Sequence, residues 1–278
     1  MAAQSEAVAA QSEASEASEA SVLVVGALGR MGECVRAALE GHSELRLGAA
    51  LERPGHPQIG HELEGGVCVT DDVKAAFASV VVAIDFSVPS STLANLRTAA
   101  DAGVAYVTGT TGFDAAGRAE VAELATRVPV VHAANFSLSV NVFAWLAREA
   151  AAKLGPDFDA ELFELHHAAK RDAPSGTALW LAAAIAEGRE QTLSDHLVLE
   201  RAGDIGPRPK GTIAIQTLRG GDSPGEHTVM FIGQGERIEL SHKSHTRDHF
   251  AKGAIKAATW LVGRKPGLYA IETVLGLD

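Results

Sequence analysis

Residues Glu161 to Ala178, reading E-L-F-E-L-H-H-A-A-K-R-D-A-P-S-G-T-A, place two carboxylates, two adjacent imidazoles, a lysine and a Ser-Gly-Thr segment within eighteen positions. A histidine titrates near neutrality and a lysine can be tuned by its neighbours, so this set suits proton transfer to a substrate carrying negative charge. Glu161 to Leu165 alternates polar and apolar side chains as a half-buried strand does, and Asp172 to Thr177 carries turn and N-cap signals. The ionisable cluster therefore sits where a strand ends and a helix begins. A helix opening at Ser175 or Thr177 presents unpaired N–H groups and the positive end of its dipole, a seat for a carboxylate or phosphate. Lys170 could add a full positive charge for the same anion. Any one of these residues alone is compatible with a solvated loop; it is the combination that points to chemistry. No metal is expected, because adjacent histidines on a strand point to opposite faces and the i, i+4 pair is missing. His242, Lys243, His245 and His249 lack thiolates or tight ligand spacing and read mainly as hinge and loop residues.

The elements that must position this cluster fall into two halves. Val22 to Val25 is an apolar run of the kind buried on both faces of a parallel sheet. It leads into Gly26-Ala27-Leu28-Gly29-Arg30-Met31-Gly32 and then a helical pattern from Glu33 to Glu40, a strand–turn–helix that lets a dinucleotide pyrophosphate approach the backbone. The spacing is G-x-x-G-x-x-G, a weak signal by itself. A second strand at Leu45 to Leu51 strengthens it, since it ends at Glu52, about 20 residues after the last glycine, where a ribose-binding carboxylate belongs. Arg53 next to it could meet the 2′-phosphate of NADP. Strands at 80–85, 105–107 and 128–131 alternate with helices at 91–102, where serine could cap, and 115–126, which implies a parallel, doubly wound sheet of Rossmann type. Loops after its strands should carry ligand contacts: Asp85-Phe86-Ser87, Gly109-Thr110-Thr111-Gly112 and Ala134-Asn135-Phe136-Ser137.

After Ser137 the rhythm changes. A long helix at 139–154, a strand at 159–165, a helix at 177–187 and strands at 211–217, 227–233 and 236–242 describe a second α+β domain with an open antiparallel or mixed sheet, suited to an oligomer face. Phe250, Ala254, Ala257, Ala258 and Leu261 recur at helical spacing in a closing amphipathic helix. The expected domains are 21–136 with 247–278 for the dinucleotide and 137–246 for substrate and oligomerisation, after a disordered S-E-A-rich tail at 1–20.

Composition excludes other classes. The 278 residues are 46% hydrophobic and 21% charged with mean hydropathy +0.08, and no run of eighteen apolar residues offers a membrane span. Glu6, Glu13, Glu16 and Glu19 account for four of the net −11 charges, and the remaining −7 argues against a nucleic-acid footprint. Two cysteines are too few for a disulfide scaffold. The acidic tail resembles neither a secretory signal nor a transit peptide, so cytoplasmic residence is expected.

Glu161 to Ala178 resembles the E-x-x-E-x-H-H-x-x-K-x-D-x-P-S-G-T-A signature of the bacterial 4-hydroxy-tetrahydrodipicolinate reductase family of diaminopimelate and lysine biosynthesis. G-A-L-G-R-M-G, A-A-L-E-R at 49–53, I-D-F-S at 84–87, G-T-T-G-F at 109–113, A-A-N-F-S at 133–137 and G-E-H-T at 225–228 are similar to that family too, so the likeness spans about residues 21 to 278. Two departures are the tail, which has no family counterpart, and Leu162, where the family prefers Ile or Val.

The resemblance implies an NADH- or NADPH-dependent reductase, with Gly26, Gly29, Arg30, Met31, Glu52 and Arg53 along the cofactor. It places Gly109, Thr110, Thr111, Ala134, Asn135, Phe136 and Ser137 at the nicotinamide end. It makes His166 the acid/base, Lys170 a proton donor, and His167, Gly176 and Thr177 contacts of a substrate carboxylate. It further implies closure of the two domains during catalysis, a last helix belonging to the nucleotide domain and a homotetramer built through the second sheet. The rivals are another two-domain nicotinamide oxidoreductase, such as a homoserine-dehydrogenase-like protein, and a dinucleotide-binding protein without turnover. Pro174-Ser175-Gly176-Thr177 beside His166 and Lys170 disfavours the first, and the intact His and Lys pair disfavours the second.

Overall fold

The computed structural model describes residues 19–246 and 248–277. The expected tail at 1–20 lies outside these residues except at its end, where Ala20 already pairs with Leu45 in the first strand. The elements run β1 (Ala20–Val25), α1 (Arg30–Leu39), β2 (Leu45–Leu51), β3 (Val69–Thr70), α2 (Val73–Ala78), β4 (Val82–Asp85), α3 (Pro89–Ala102), β5 (Ala105–Thr108), α4 (Ala115–Leu124) and β6 (Pro129–His132). They continue with α5 (Leu138–Leu154), β7 (Asp159–His166), α6 (Gly176–Gly188), α7 (Leu193–His196), β8 (Leu197–Val198), β9 (Ile213–Arg219), β10 (Gly225–Ile232) and β11 (Arg237–Ser244). The last are α8 (Asp248–Leu261), β12 (Gly267–Tyr269) and α9 (Ile271–Leu275). Two compact units result, one holding the chain up to Ala134 with Ala254–Ala270, the other Asn135–Gly253 with the chain from Ile271.

In the first unit seven strands pair in parallel in the order β12-β6-β5-β4-β1-β2-β3. Val22, Leu23, Val24 and Val25 are all buried, as a strand covered on both faces requires. Strand order reverses between β1 and β4, so the loops leaving these two strands open the crevice in which such sheets bind ligands. The expected serine cap on α3 is not what forms. That helix starts at Pro89 with Val88 at its N-cap and no side-chain cap, because proline presets the first helical φ and has no N–H to satisfy. β3, α2, β12 and α9, each no more than six residues long, are too short to show periodicity in the sequence.

The second unit carries a five-stranded mixed sheet, β11-β10-β7-β9-β8, in which β10 is antiparallel to both neighbours and β9 is parallel to β7 and β8. α5 and α6 cover one face. Ala147 and Ala151 of α5 and Leu181, Ala182 and Ile185 of α6 pack with Leu162, Ile213, Ile215, Val229 and Phe231 of the strands. Along β7 the covered face begins apolar, at Ala160 and Leu162, and ends polar, at Glu164 and His166; period-two alternation hands the core over to a polar site within one strand. The opposite face leaves Phe163 and Leu218 exposed, while Ile238, opposite Phe231, is exposed at the edge of the covered face. His242 and Lys243, expected in a hinge or loop, belong to β11, and His249 to α8. β11 is an edge strand whose side chains are mostly exposed and polar, and such a strand shows little apolar alternation at its end.

Candidate active site

The first unit has the features that a dinucleotide demands of a backbone. Gly26 has φ +66°, a left-handed conformation that costs glycine nothing. A Cβ at Gly32 would stand 2.1 Å from the Gly26 carbonyl oxygen, so only glycine lets α1 start so close to the turn. α1 has Gly29 at its N-cap and no side-chain cap, whereas Asp72, Asp114, Ser137 and Ser175 cap α2, α4, α5 and α6. The amides of Arg30 and Met31 are thereby left for an anion. Glu52 reaches back across the turn, its Oε1 accepting from the Leu28 amide at 2.9 Å, while Arg53 beside it is exposed. These residues fit a dinucleotide.

Neighbouring loops are braced from within. Phe86 packs so tightly on Gly109 that a Cβ there would lie 2.2 Å from its ring. Thr110 is buried, its hydroxyl 2.7 Å from that of Thr92 and its carbonyl 3.0 Å from His132 Nε2, while Thr111 faces solvent. Asp85 is fully buried, accepting from Tyr106 Oη at 2.6 Å and from the Ser87 amide at 2.7 Å. Burial, reinforced by the Asp85 carboxylate, pushes the Tyr106 hydroxyl far above its ordinary pKa, so it remains a donor.

The second unit assembles the ionisable cluster around Glu164. This carboxylate is completely buried, with Arg219 Nη1 donating to Oε2 at 2.8 Å and Nη2 to Oε1 at 3.0 Å. His166 Nδ1 lies 2.6 Å from Oε2, and the Ser175 amide and Thr217 hydroxyl donate to Oε1 at 3.0 and 3.2 Å. Burial opposes the charge, but Arg219, His166 and Ser175 outweigh it and bring the carboxyl down to about 2. Glu164 is thus a permanent anion that orients His166 through Nδ1 and leaves Nε2, which faces Gly225, as the working nitrogen. Burial holds His166 below its ordinary pKa, with Glu164 offsetting part of the effect.

Lys170 joins the same network. Its Nζ donates to both oxygens of Asp172, at 2.9 and 2.8 Å, and the Asp172 carbonyl accepts from Arg219 Nη2 at 2.6 Å. Ser175 caps α6, its Oγ accepting from the Ala178 amide at 3.1 Å, and Gly176 and Thr177 are the first two helical residues, with amides available to a carboxylate. His166, Lys170 and the α6 start are therefore tied together. His167 differs, contributing only main-chain bonds, its N–H to Ser223 O at 2.9 Å and its carbonyl to the Lys170 amide at 3.1 Å.

Sequence reasoning treated Glu161 and Glu164 alike; the structure separates them. Glu161 lies on the other face of β7 and takes Arg201 and Arg208, each at 2.8 Å. Glu164, Arg219, Thr217 and His227 were missed. Glu164 carried a signal, since it stands two residues before His166 and so shares its strand face. Arg219 carried none, because it meets the cluster only through strand register, opposite His166; His227 lay in the G-E-H-T segment at 225–228, but only register sets it opposite Glu164.

His227 is buried, with Nε2 3.0 Å from the Ser175 hydroxyl and its ring 5.2 Å from that of His166. Burial, then the neighbouring His166, lower it to about 4 from 6.5. An unfolded chain binds that proton first, so the contribution of a neutral His227 is complete above pH 6.5 and declines as pH falls toward 4. Glu164 acts lower, its contribution intact above 4.5 and lost as pH falls toward 2. Thermal melts of His227→Gln should therefore show a shallower loss of stability between pH 6.5 and 4 than the parent. An unchanged slope would remove this imidazole as the cause.

The family profile described as the dihydrodipicolinate reductase N-terminus matches residues 20–136, and that of its C-terminus matches residues 139–275. A 4-hydroxy-tetrahydrodipicolinate reductase of Desulfotalea psychrophila is 48% identical over 256 residues, covering 90% of this chain and 95% of its own. That of Magnetococcus marinus is 47% identical over 254 residues, covering 89% and 95%. Among solved structures, a dipicolinate-bound dihydrodipicolinate reductase from Paenisporosarcina sp. TG-14 has the same fold, with TM-score 0.76 at 23% identity over 91% of this chain and 97% of that one. With both profiles matched in order and nearly half of the residues shared with such relatives along nine-tenths of its length, this chain belongs to the 4-hydroxy-tetrahydrodipicolinate reductase family.

Proposed function

We propose a division of labour for the NAD(P)H-dependent reduction of 4-hydroxy-tetrahydrodipicolinate, the activity of this family in lysine and diaminopimelate biosynthesis. The first unit holds the cofactor and the second the substrate. The observation that carries the reading is the buried Glu164 carboxylate, which binds Arg219, His166 and the start of α6 at once and so sets a general acid beside a helix N-terminus.

When bound, the nicotinamide supplies hydride. The protein does the rest: the Gly176 and Thr177 amides and the Lys170 ammonium bind substrate carboxylate, and His167 lines the same anion. The 4-hydroxyl leaves as water together with a proton from the adjacent carbon. His166, kept neutral by burial and oriented by Glu164, holds or passes a proton at Nε2, and Lys170 delivers one to that adjacent carbon, which becomes electron-rich when hydride enters at the neighbouring position. Gly26, Gly29, Arg30 and Met31 cradle the pyrophosphate, and Gly109, Thr110, Thr111 and Ala134 to Ser137 bound the nicotinamide end.

A spectrophotometric assay with enzymatically generated substrate tests the reading, nicotinamide absorbance being expected to fall only with chain and substrate both present. Pyridine-2,6-dicarboxylate, whose carboxylates mimic those of the substrate, should bind, and more tightly with cofactor present; calorimetry showing no binding in either state would contradict the substrate class.

Glu52 can accept both ribose hydroxyls of NADH and repels a 2′-phosphate, which Arg53 can pair with. Both cofactors are used, with a modest preference for NADH. Glu52→Ala should weaken NADH more than NADPH and Arg53→Ala the reverse, and equal losses for both cofactors would place these side chains away from the ribose.

The exposed Phe163 and Leu218 on the open face of the second sheet support a homotetramer formed through that face, in line with the need to cover such a surface. No helix among the described residues is long and apolar enough to cross a membrane. Cytoplasmic residence completes the proposal.

A further inference from the structure

β11 carries an imidazole for which the reaction gives no role. His242 stands opposite His227 across the β10–β11 ladder, as His227 stands opposite Glu164 across β7–β10, so the three share one face of the sheet. Each histidine is bonded to a serine at the start of a helix. His227 Nε2 meets Ser175, the cap of α6, at 3.0 Å. His242 Nε2 meets Ser139 Oγ at 2.9 Å, and Ser139 Oγ lies 3.2 Å from Ser137 Oγ, the cap of α5. Burial and the nearby His249 and His245 hold His242 below its ordinary pKa, which keeps it neutral.

Ser137 closes the loop that leaves β6 at the carboxyl edge of the parallel sheet. The loop is already restrained, with the Ser137 amide donating to Asn135 Oδ1 at 2.8 Å and Asn141 Nδ2 donating to the carbonyls of Asn135 and Ser137 at 3.0 and 2.8 Å. A Cβ at Gly253 would lie 1.7 Å from the Phe136 carbonyl oxygen, so α8 presses on the loop backbone directly. These contacts hold main chain. Among the described residues the Ser137 hydroxyl is tied beyond its own helix turn through the Ser139–His242 pair.

We infer that His242 is a positioning residue for cofactor binding, holding the Asn135–Ser137 loop in its ligand-ready geometry through Ser139 while touching neither substrate nor cofactor. The inference rests on the assignment of that loop to the nicotinamide end. A neutral hydrogen bond contributes modestly, so the expected change is about 3- to 10-fold in cofactor affinity and no large change in chemistry.

The test compares the full-length parent with His242→Ala, His242→Gln, Ser139→Ala and the double variant His242→Ala/Ser139→Ala. NADH binding to the cofactor-free protein is measured by calorimetry alongside steady-state kinetics. His242→Ala should weaken NADH by about 3- to 10-fold and raise its Michaelis constant in step. Its kcat at saturating NADH and its affinity for pyridine-2,6-dicarboxylate should stay within about 2-fold of the parent. His242→Gln, whose amide can still bond Ser139, should restore most of the NADH affinity. Ser139→Ala should match His242→Ala, and the double variant should lose no more than either alone, because both break one linkage.

Unchanged NADH affinity in His242→Ala, multiplying losses in the double variant, or an equal loss of dicarboxylate affinity would each overturn the inference. If His242→Ala fails to fold, His242→Gln and Ser139→Ala decide it: parent-like affinity in the first with a loss in the second sustains it, and any other pattern sinks it. Asn135→Ala separates the two levels. Should it leave NADH affinity intact, the loop is not at the cofactor and both readings fall; should it weaken NADH while His242→Ala does not, only the inference falls.

Discussion

Lys170→Ala is expected to lose kcat by at least ~10² and to raise the Michaelis constant of the dicarboxylate substrate, with cofactor affinity nearly unchanged. Both effects belong to one ammonium group. A positioned proton donor contributes about 10²–10⁴ in rate, while a charge that only holds an anion shows mainly in the Michaelis constant. In the structure Lys170 is occupied by the exposed Asp172 carboxylate, an ion pair weak enough in water for a substrate carboxylate to replace. His166→Ala should divide differently, lowering kcat and altering the pH profile near neutrality with a smaller effect on substrate affinity, since its Nδ1 is committed to Glu164. Steady-state kinetics across pH, with cofactor binding measured separately, decides the matter. A Lys170→Ala enzyme that keeps parental kcat at saturating substrate would remove the lysine from the chemistry.

Glu164→Gln should cost both stability and rate, for separable reasons. The amide leaves the partly buried Arg219 guanidinium against a neutral partner, and breaking a fully buried pair on one side typically costs about 3–5 kcal/mol. With Arg219 partly open to water the loss falls toward the lower end of that range, still a large part of the about 5–15 kcal/mol that stabilises a domain. It also deprives His166 of the anion that orients its ring, a loss that lowers rate by roughly 10–10² or more. Removing both charges in Glu164→Gln/Arg219→Met should restore part of the melting temperature, because no uncompensated charge remains. The rate should not return, because His166 still lacks the anion that orients and stabilises its ring. A double variant as unstable as the two single losses combined would show that the pair is not one electrostatic unit. A single variant with parental kcat would remove Glu164 from the positioning of His166.

Much of this architecture is written in short contiguous patterns. The apolar run Val22 to Val25, the glycines that follow and the carboxylate at Glu52 announce a nucleotide-type βαβ start, because buried parallel strands and close backbone approach leave few residue choices. The alternation from Glu161 to Leu165 and the Ser-Gly-Thr helix start locate the ionisable cluster for the same reason, each being a property of neighbours in the chain. Even Ser175 as the cap of α6 was within reach, since capping is local.

What the tertiary structure alone decided is which side chains meet. Glu161 and Glu164 are both acidic residues of one strand, yet one takes surface arginines and the other becomes the buried anion that orients His166. Arg219 and His227, 55 and 63 positions along from Glu164, arrive there through the pairing of β7 with β9 and with β10. The link from His242 to the Ser137 loop likewise depends on where β11 lies against α5, across 103 positions of sequence. Amino-acid periodicity specifies which face of a strand is covered, and it is blind to which strand lies alongside. Register and pairing come from turns and packing distributed over the whole unit, and a slip of one residue would send each of these partners to the opposite face.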